Sequence, residues 1–228
     1  MSAQAAEKVP ALKKLAYAAP AFALAVVGIP IYVYLPKFYT DVVGVEIAAL
    51  GTILASVRIF DALTDPAMGY LSDRTVTRFG RRRPYIAAGG LFVALFIYLL
   101  FTPPQASPPF ETIWFGVCIY ALFLFWTVVT VPYESLGPEI TFDYNERNAL
   151  FGLRDGLLIA GTLAAAASPA AVQALFGLAA GPDGERAKFF WIAVIYAPLV
   201  VGTTWWCTAA VRERPAPAEK SAAGLWRG

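Results

Sequence analysis

Histidine is absent from this 228-residue chain, and only two cysteines and two methionines occur. Without histidine there is no His-based nucleophile activation or imidazole metal ligand, and two isolated cysteines build neither a zinc cluster nor a disulfide framework. Cys118 and Cys207 both fall in apolar stretches, so both are expected as buried free thiols. Charge is scarce as well: 15% of residues, against about 25% in a water-soluble domain. The net charge of +2 comes from arginines grouped between apolar runs, so it gives no ground for nucleic-acid binding. No P-loop or G-x-S-x-G pattern occurs, and nothing points to an enzyme or a cofactor.

What is abundant is hydrophobicity, 58% of residues with a mean hydropathy of +0.59. A bilayer crossing takes about 20 apolar residues, and six such runs are predicted: Leu15–Tyr39, Val45–Leu71, Tyr85–Phe101, Thr112–Leu136, Asn148–Leu175 and Phe189–Val211. The first is too long for the apolar core of a signal peptide and is read as a retained helix. The separators PKFYTDVVG, SDRTVTRFGRRRP, TPPQASPPFE, GPEITFDYNERN and GLAAGPDGERAK are rich in Pro, Gly or charge, which breaks helices or holds them at the interface.

Residues 1–14 are thus expected as a cytoplasmic N-terminus, 15–211 as a six-helix bundle, and 212–228 as a cytoplasmic tail or the start of a middle loop. Lys and Arg placement gives the orientation. Thirteen of the eighteen basic residues fall in the N-terminal segment, the second and fourth loops and the tail, whereas Lys37, Arg186 and Lys188 occupy the other side. Both termini are therefore expected in the cytoplasm of a multi-pass protein of the cell (inner) membrane. Small residues in the fifth run, Gly152, Gly156, Gly161 and Ala164–Ala167, suit close helix approach. Trp114, Trp191, Trp205 and Tyr39, at span ends, suit interface anchoring.

Against this background Asp61 and Asp65 stand out. Four residues apart, they share one helix face inside an apolar run, where each acid costs about 2.5–3.5 kcal/mol at the bilayer centre. Such a pair requires a cation, a proton or a basic side chain. An Arg58–Asp61 bridge is one solution; an oxygen-lined cation site, with hydroxyls from Thr127 and Thr130, is the other. Glu134 continues the Thr127, Thr130 spacing toward the cytoplasmic end, and Arg154 enters from the same side with a planar fork able to clamp hydroxyls or a carboxylate. The loop Gly69, Asp73, Arg74, Gly80, Arg81, Arg82, Arg83 and Pro84 reads as a topology anchor and a cytoplasmic gate. In it Gly69 would permit tight packing, Asp73 would meet a helix N-terminus, and the arginines would bridge to acids on neighbouring helices.

The strings YTDVVG (39–44), RIFDALTDPAMGY (58–70), DRTVTRFGRRRP (73–84), VPYESLGPEIT (131–141) and DYNERNALFGLR (143–154) occur together. By these the chain resembles the glycoside–pentoside–hexuronide:cation symporters of the major facilitator superfamily, the melibiose permease-like group. The resemblance implies an all-α membrane fold, six transmembrane helices forming the N-terminal half of a twelve-helix transporter. It implies a sodium site at Asp61 and Asp65 with Thr127, and a substrate-contacting arginine at Arg154. Thr130 stands where the family has a carboxylate shared by cation and sugar, Ala25 where it has a sugar-binding aspartate, and Glu134 where it has a stacking tryptophan. With one carboxylate fewer, sodium and proton coupling are both open. The expected activity is cation-coupled symport of a small solute, a sugar or glycoside, by alternating access, with a second six-helix half as partner. A non-transporting membrane subunit derived from the family, and a symporter of an amphiphile or organic acid, are the alternatives.

Overall fold

The computed structural model describes residues 8–213 and contains six long helices: α1 (Ala11–Val43), α2 (Ile47–Arg74), α3 (Arg83–Phe101), α4 (Pro108–Ile140), α5 (Tyr144–Leu175) and α6 (Pro182–Ala210). All six are long and apolar enough to cross a bilayer. Residues 214–228 of the expected tail lie outside the described residues, as do residues 1–7 of the N-terminal segment.

Several helices outrun the predicted spans. At 33 residues, α4 is about 50 Å long, well beyond a hydrocarbon core of about 30 Å. Only Thr141–Asp143 separate α4 from α5, so most of the separator GPEITFDYNERN is helical. The separator PKFYTDVVG is also helical, as far as Val43. In α1 the regular α-helix stops at Ile29, widens into a π segment at Pro30–Tyr34, and widens again at Tyr39–Val43. Pro30 and Pro36 lack the N–H that an α-helix would bond four residues back; a wider turn redistributes those bonds without ending the helix. Gly44, at φ +99°, then stops it, and the amides of Gly44 and Val45 both donate to the Tyr39 carbonyl at 2.9 Å.

Packing pairs α1 with α5 and α6, α3 with α4 and α6, and α2 with α4. Gly161 of α5 lies so close to the Phe22 backbone of α1 that a Cβ would collide with it, and Ala165 one turn later is fully buried. Gly152 and Gly156 face open space instead, so only part of the small-residue stripe serves this contact. Gly90 of α3 similarly admits the Thr204 side chain of α6. Tyr39 is no interface anchor: it is fully buried and its hydroxyl donates to the Leu100 carbonyl at 2.8 Å. Both cysteines are free and buried, as expected. In contrast, only 11% of the apolar window of α2 and 17% of that of α5 are buried. Those two helices carry the bundle's broadest apolar exposure.

At one end of the bundle the basic segments meet. Lys14 pairs with Glu146 at 2.9 Å, tying the start of α1 to the start of α5. Asp143 caps α5 by accepting the Glu146 amide at 2.9 Å. The α2–α3 loop, the end of α4 and Glu213 after α6 join the same end through the ion pairs described below.

Candidate functional site

Asp61 and Asp65 lie on consecutive turns of α2. Asp61 is mostly buried (18% exposed side chain), and its Oδ2 sits 3.3 Å from Arg58 Nη1. Its Oδ1 is buried and has no hydrogen-bond partner. Arg58 is half exposed, and its guanidinium carbon lies 4.5 Å from the Tyr32 ring centre and 5.0 Å from that of Phe123. The Arg58–Asp61 bridge foreseen from the sequence is present as a long contact that serves one carboxylate oxygen and leaves the other without a partner. An orphaned carboxylate oxygen out of water is costly, and a small cation or a proton removes that cost.

Thr127 of α4 is 3% exposed and donates to Asp65 Oδ1 at 2.8 Å. Thr130 does not follow it. Grouped above with the cation site, Thr130 instead lines an open cavity of about 370 Å³ between α1, α4 and α5. Three positions along an α-helix rotate a side chain by about 60° from eclipse, enough here to turn Thr127 to α2 and Thr130 to the cavity. Two carboxylates on consecutive turns of α2 and the Thr127 hydroxyl of α4 thus line one face of the α2–α4 contact; among the described residues no cluster of three or more His, Cys, Asp or Glu occurs.

Ala25, Glu134 and Arg154, all foreseen as substrate contacts, line that same cavity together with Thr130. Arg154 is neutralised by its neighbour: Asp155 accepts from Nε at 2.9 Å and Nη2 at 2.8 Å. Its guanidinium carbon lies 4.8 Å from the Phe151 ring centre. Glu134 has no hydrogen-bond or ion-pair partner among the described residues, so its carboxylate is available to a solute. Trp126, which the sequence reading passed over, lines the cavity two turns from Glu134.

The loop residues form a lattice at the basic end. Arg82 donates to Asp73 (2.6 Å), to Glu139 (2.7 Å) and to the Ser135 carbonyl (2.6 Å), and Arg81 reaches Glu139 at 2.8 Å. Glu213 accepts the main-chain N–H groups of Arg81, Arg82 and Arg83 at 2.6, 2.8 and 2.8 Å. Glu213, rather than Asp73, thus serves the N-terminus of α3; Asp73 binds the Arg82 guanidinium. Arg83 Nε donates to the Thr208 carbonyl at 2.6 Å. Gly80, at φ +112°, passes so close to the Glu213 carboxylate that a side chain would displace it. Arg74 stays out of the lattice, with its guanidinium carbon 4.0 Å from the Tyr70 ring centre. Gly69 is 3.7 Å (from an ideal Cβ) to Val131, an ordinary contact that leaves room for a methyl. Glu139 and Glu213 were not singled out from sequence; the available signal was an acid at the end of each of two spans, on the arginine-rich side.

The model of the family described as MFS/sugar transport protein matches residues 16–228. The chain belongs to that family. This bears out the resemblance to cation symporters and the reading of an all-α, multi-pass membrane fold. An uncharacterized symporter of Synechocystis is 35% identical over 216 residues, which are 92% of this chain and 39% of the relative. The isoprimeverose transporter of Lactiplantibacillus pentosus is 32% identical over 183 residues, 79% of this chain and 37% of the relative. An inner membrane symporter of Escherichia coli is 36% identical over 131 residues, 58% of this chain and 28% of that protein. The chain thus spans well under half the length of these MFS relatives.

Proposed function

We propose that this chain supplies the cation site and one wall of the solute site of a secondary active transporter, a symporter of a sugar or glycoside that works by alternating access. The observation that carries the reading is the orphaned Oδ1 of Asp61, buried one helical turn from an Asp65 that Thr127 holds. A bound sodium ion or proton would satisfy it, with Arg58 balancing the remaining negative charge. The chemistry is binding and release, with no bond made or broken and no cofactor required.

The solute would lie in the α1–α4–α5 cavity against Glu134, Arg154 and Thr130, beside Ala25. A second six-helix half would cover α2 and α5, whose apolar windows are 11% and 17% buried, and the length of the relatives supports such a partner. The arginine lattice would act as a cytoplasmic gate at the basic end, with both termini in the cytoplasm of a cell-membrane protein. Breaking the contacts of Arg82 with Asp73 and Glu139 would let that end open. The test is solute uptake by the full-length gene product in proteoliposomes, driven in turn by sodium and proton gradients. Uptake stimulated by one gradient and lost in Glu134→Gln supports the reading; uptake indifferent to both gradients contradicts it.

A further inference from the structure

A second cavity, of about 330 Å³, lies where the last turns of α1 meet α5 and α6, at the end of the bundle opposite the arginine lattice. It is separate from the cavity assigned to the solute: α1 turns Tyr32 to that one, and Tyr34, Lys37, Phe38 and Asp41 to this one. The spacing of those four places them on a single helix face. Both α5 and α6 pack on α1 more extensively than on each other, so the cavity heads a cleft with α1 as its floor. Phe38 and Phe189 close that floor, both buried and stacked with ring centres 4.2 Å apart.

Four charged side chains converge on this apolar base, Lys37 and Asp41 from α1, Glu185 and Lys188 from α6. Lys188 is 8% exposed and donates to Glu185 at 2.6 Å. Lys37 has no ion-pair partner among the described residues, and Asp41 accepts only from the Thr40 hydroxyl, at 3.0 Å. Four residues apart on one face, Lys37 and Asp41 could reach each other, yet each stays unpaired. Arg186 lies outside the lining and donates to the Pro103 and Val42 carbonyls. The lining charges therefore sum to zero. A simple anion would meet two carboxylates there, a simple cation would meet two ammonium groups, and an apolar ligand would strand all four. A zwitterion satisfies both signs. Lys37 and Asp41 are about 6 Å apart along the helix axis, the scale of a phosphate and an amine joined by two carbons. Exposed charges alone hold a free zwitterion weakly, whereas a lipid is brought to a cleft between helices by its own chains.

We propose that this cavity binds the headgroup of a phosphoethanolamine lipid from the leaflet on that side, its phosphate received by Lys37 and Lys188, its ammonium by Asp41 and Glu185, and its chains lying along the α5–α6 cleft. A primary ammonium carries three N–H donors for the two carboxylates; the quaternary ammonium of a choline lipid carries none, and a glycerol headgroup leaves the acids without a cation. The site is independent of the proposed solute and cation sites.

The test is native mass spectrometry of the full-length gene product in detergent, titrated with dioleoyl phosphatidylethanolamine, phosphatidylcholine or phosphatidylglycerol. One ethanolamine lipid per chain is expected to be retained at about tenfold lower concentration than either of the others, the lower end of what a hydrogen bond to a charged group contributes. Lys37 and Asp41 are exposed, so substitution there leaves the core intact. Lys37→Gln should weaken retention of the ethanolamine lipid about tenfold, and Asp41→Asn should bring it within about twofold of the choline lipid. Glu46→Gln, at an exposed acid outside the cavity, should match the parent. Equal retention of the three lipids by the parent, a preference that survives both cavity substitutions, or an equal loss in Glu46→Gln overturns the site. Displacement of the lipid by glycerophosphoethanolamine at equal concentration overturns the lipid assignment in favour of a soluble phosphate ester. Uptake plays no part in this readout, so its failure leaves the transport reading untouched, and failure of that reading leaves the lipid site standing.

Discussion

Glu213 offers the most quantitative test of the charge lattice. Glu213→Ala removes a carboxylate that accepts three consecutive main-chain N–H groups, from Arg81 at 2.6 Å and from Arg82 and Arg83 at 2.8 Å. Loss of a helix N-cap costs about 0.5–2 kcal/mol, and a hydrogen bond to a charged group contributes about 1.5–3 kcal/mol. The three bonds share one carboxylate, and water can reach the amides once it is gone, so they do not add. About 2 kcal/mol for local opening of the α3 N-terminus is the reasonable sum, which corresponds to about 30-fold in the opening equilibrium. Hydrogen–deuterium exchange of the purified protein, followed in peptides covering residues 79–86, reads this quantity. In Glu213→Ala the amides of residues 81–83 should exchange about 30-fold faster, whereas Glu213→Gln, which keeps an acceptor without the charge, should give about fivefold. Amides in the middle of α1 should not change. Exchange at residues 81–83 within twofold of the parent in Glu213→Ala would refute the cap.

Two further outcomes follow from packing and from the cation site. Gly90→Ala drives a methyl into the Thr204 side chain and should destabilise by about 1–3 kcal/mol, lowering the detergent-solubilised melting temperature by about 5 °C; Thr204→Ala in the same chain should recover most of the loss. An unchanged melting temperature in Gly90→Ala would mean that α3 and α6 are not so closely set. Thr127→Val keeps the shape of the side chain but removes the hydroxyl held 2.8 Å from Asp65, and should weaken cation binding by about 5–10-fold, with Thr127→Ser close to the parent. A sodium titration that does not distinguish Thr127→Val from Thr127→Ser would remove Thr127 from the site.

The six spans and the family were legible because long apolar runs, arginine-rich loops and five motif strings are local properties of the chain. The Asp61–Asp65 pair was legible for the same reason: spacing alone puts it on one face of an apolar helix. Where each face points was not. Thr127 and Thr130 differ by a small rotation, and only the setting of α4 between α2 and the cavity turns one to Asp65 and the other to Glu134 and Arg154. Tyr39 looked like an interface residue because the proline-rich segment around it read as a loop; with the π turns of α1 carrying the helix on to Val43, it falls inside the core. Glu213 lies more than 120 residues from the amides it caps, and no local pattern reports a contact of that range. Gly152 and Gly156 show the converse, small residues that invite a close contact the bundle does not make.

The central claim is that Asp61 and Asp65 hold the coupling cation, and the most direct measurement is solute uptake by the full-length gene product in proteoliposomes as a function of sodium concentration and pH, for the parent and for Asp61→Asn and Asp65→Asn. Either substitution should abolish cation-stimulated uptake, because each removes one of the two negative charges offered to the cation, at Asp61 with its unpaired oxygen beside Arg58 or at Asp65 beside Thr127. Uptake by both variants with the sodium and pH dependence of the parent would contradict the cation site and with it the coupling mechanism.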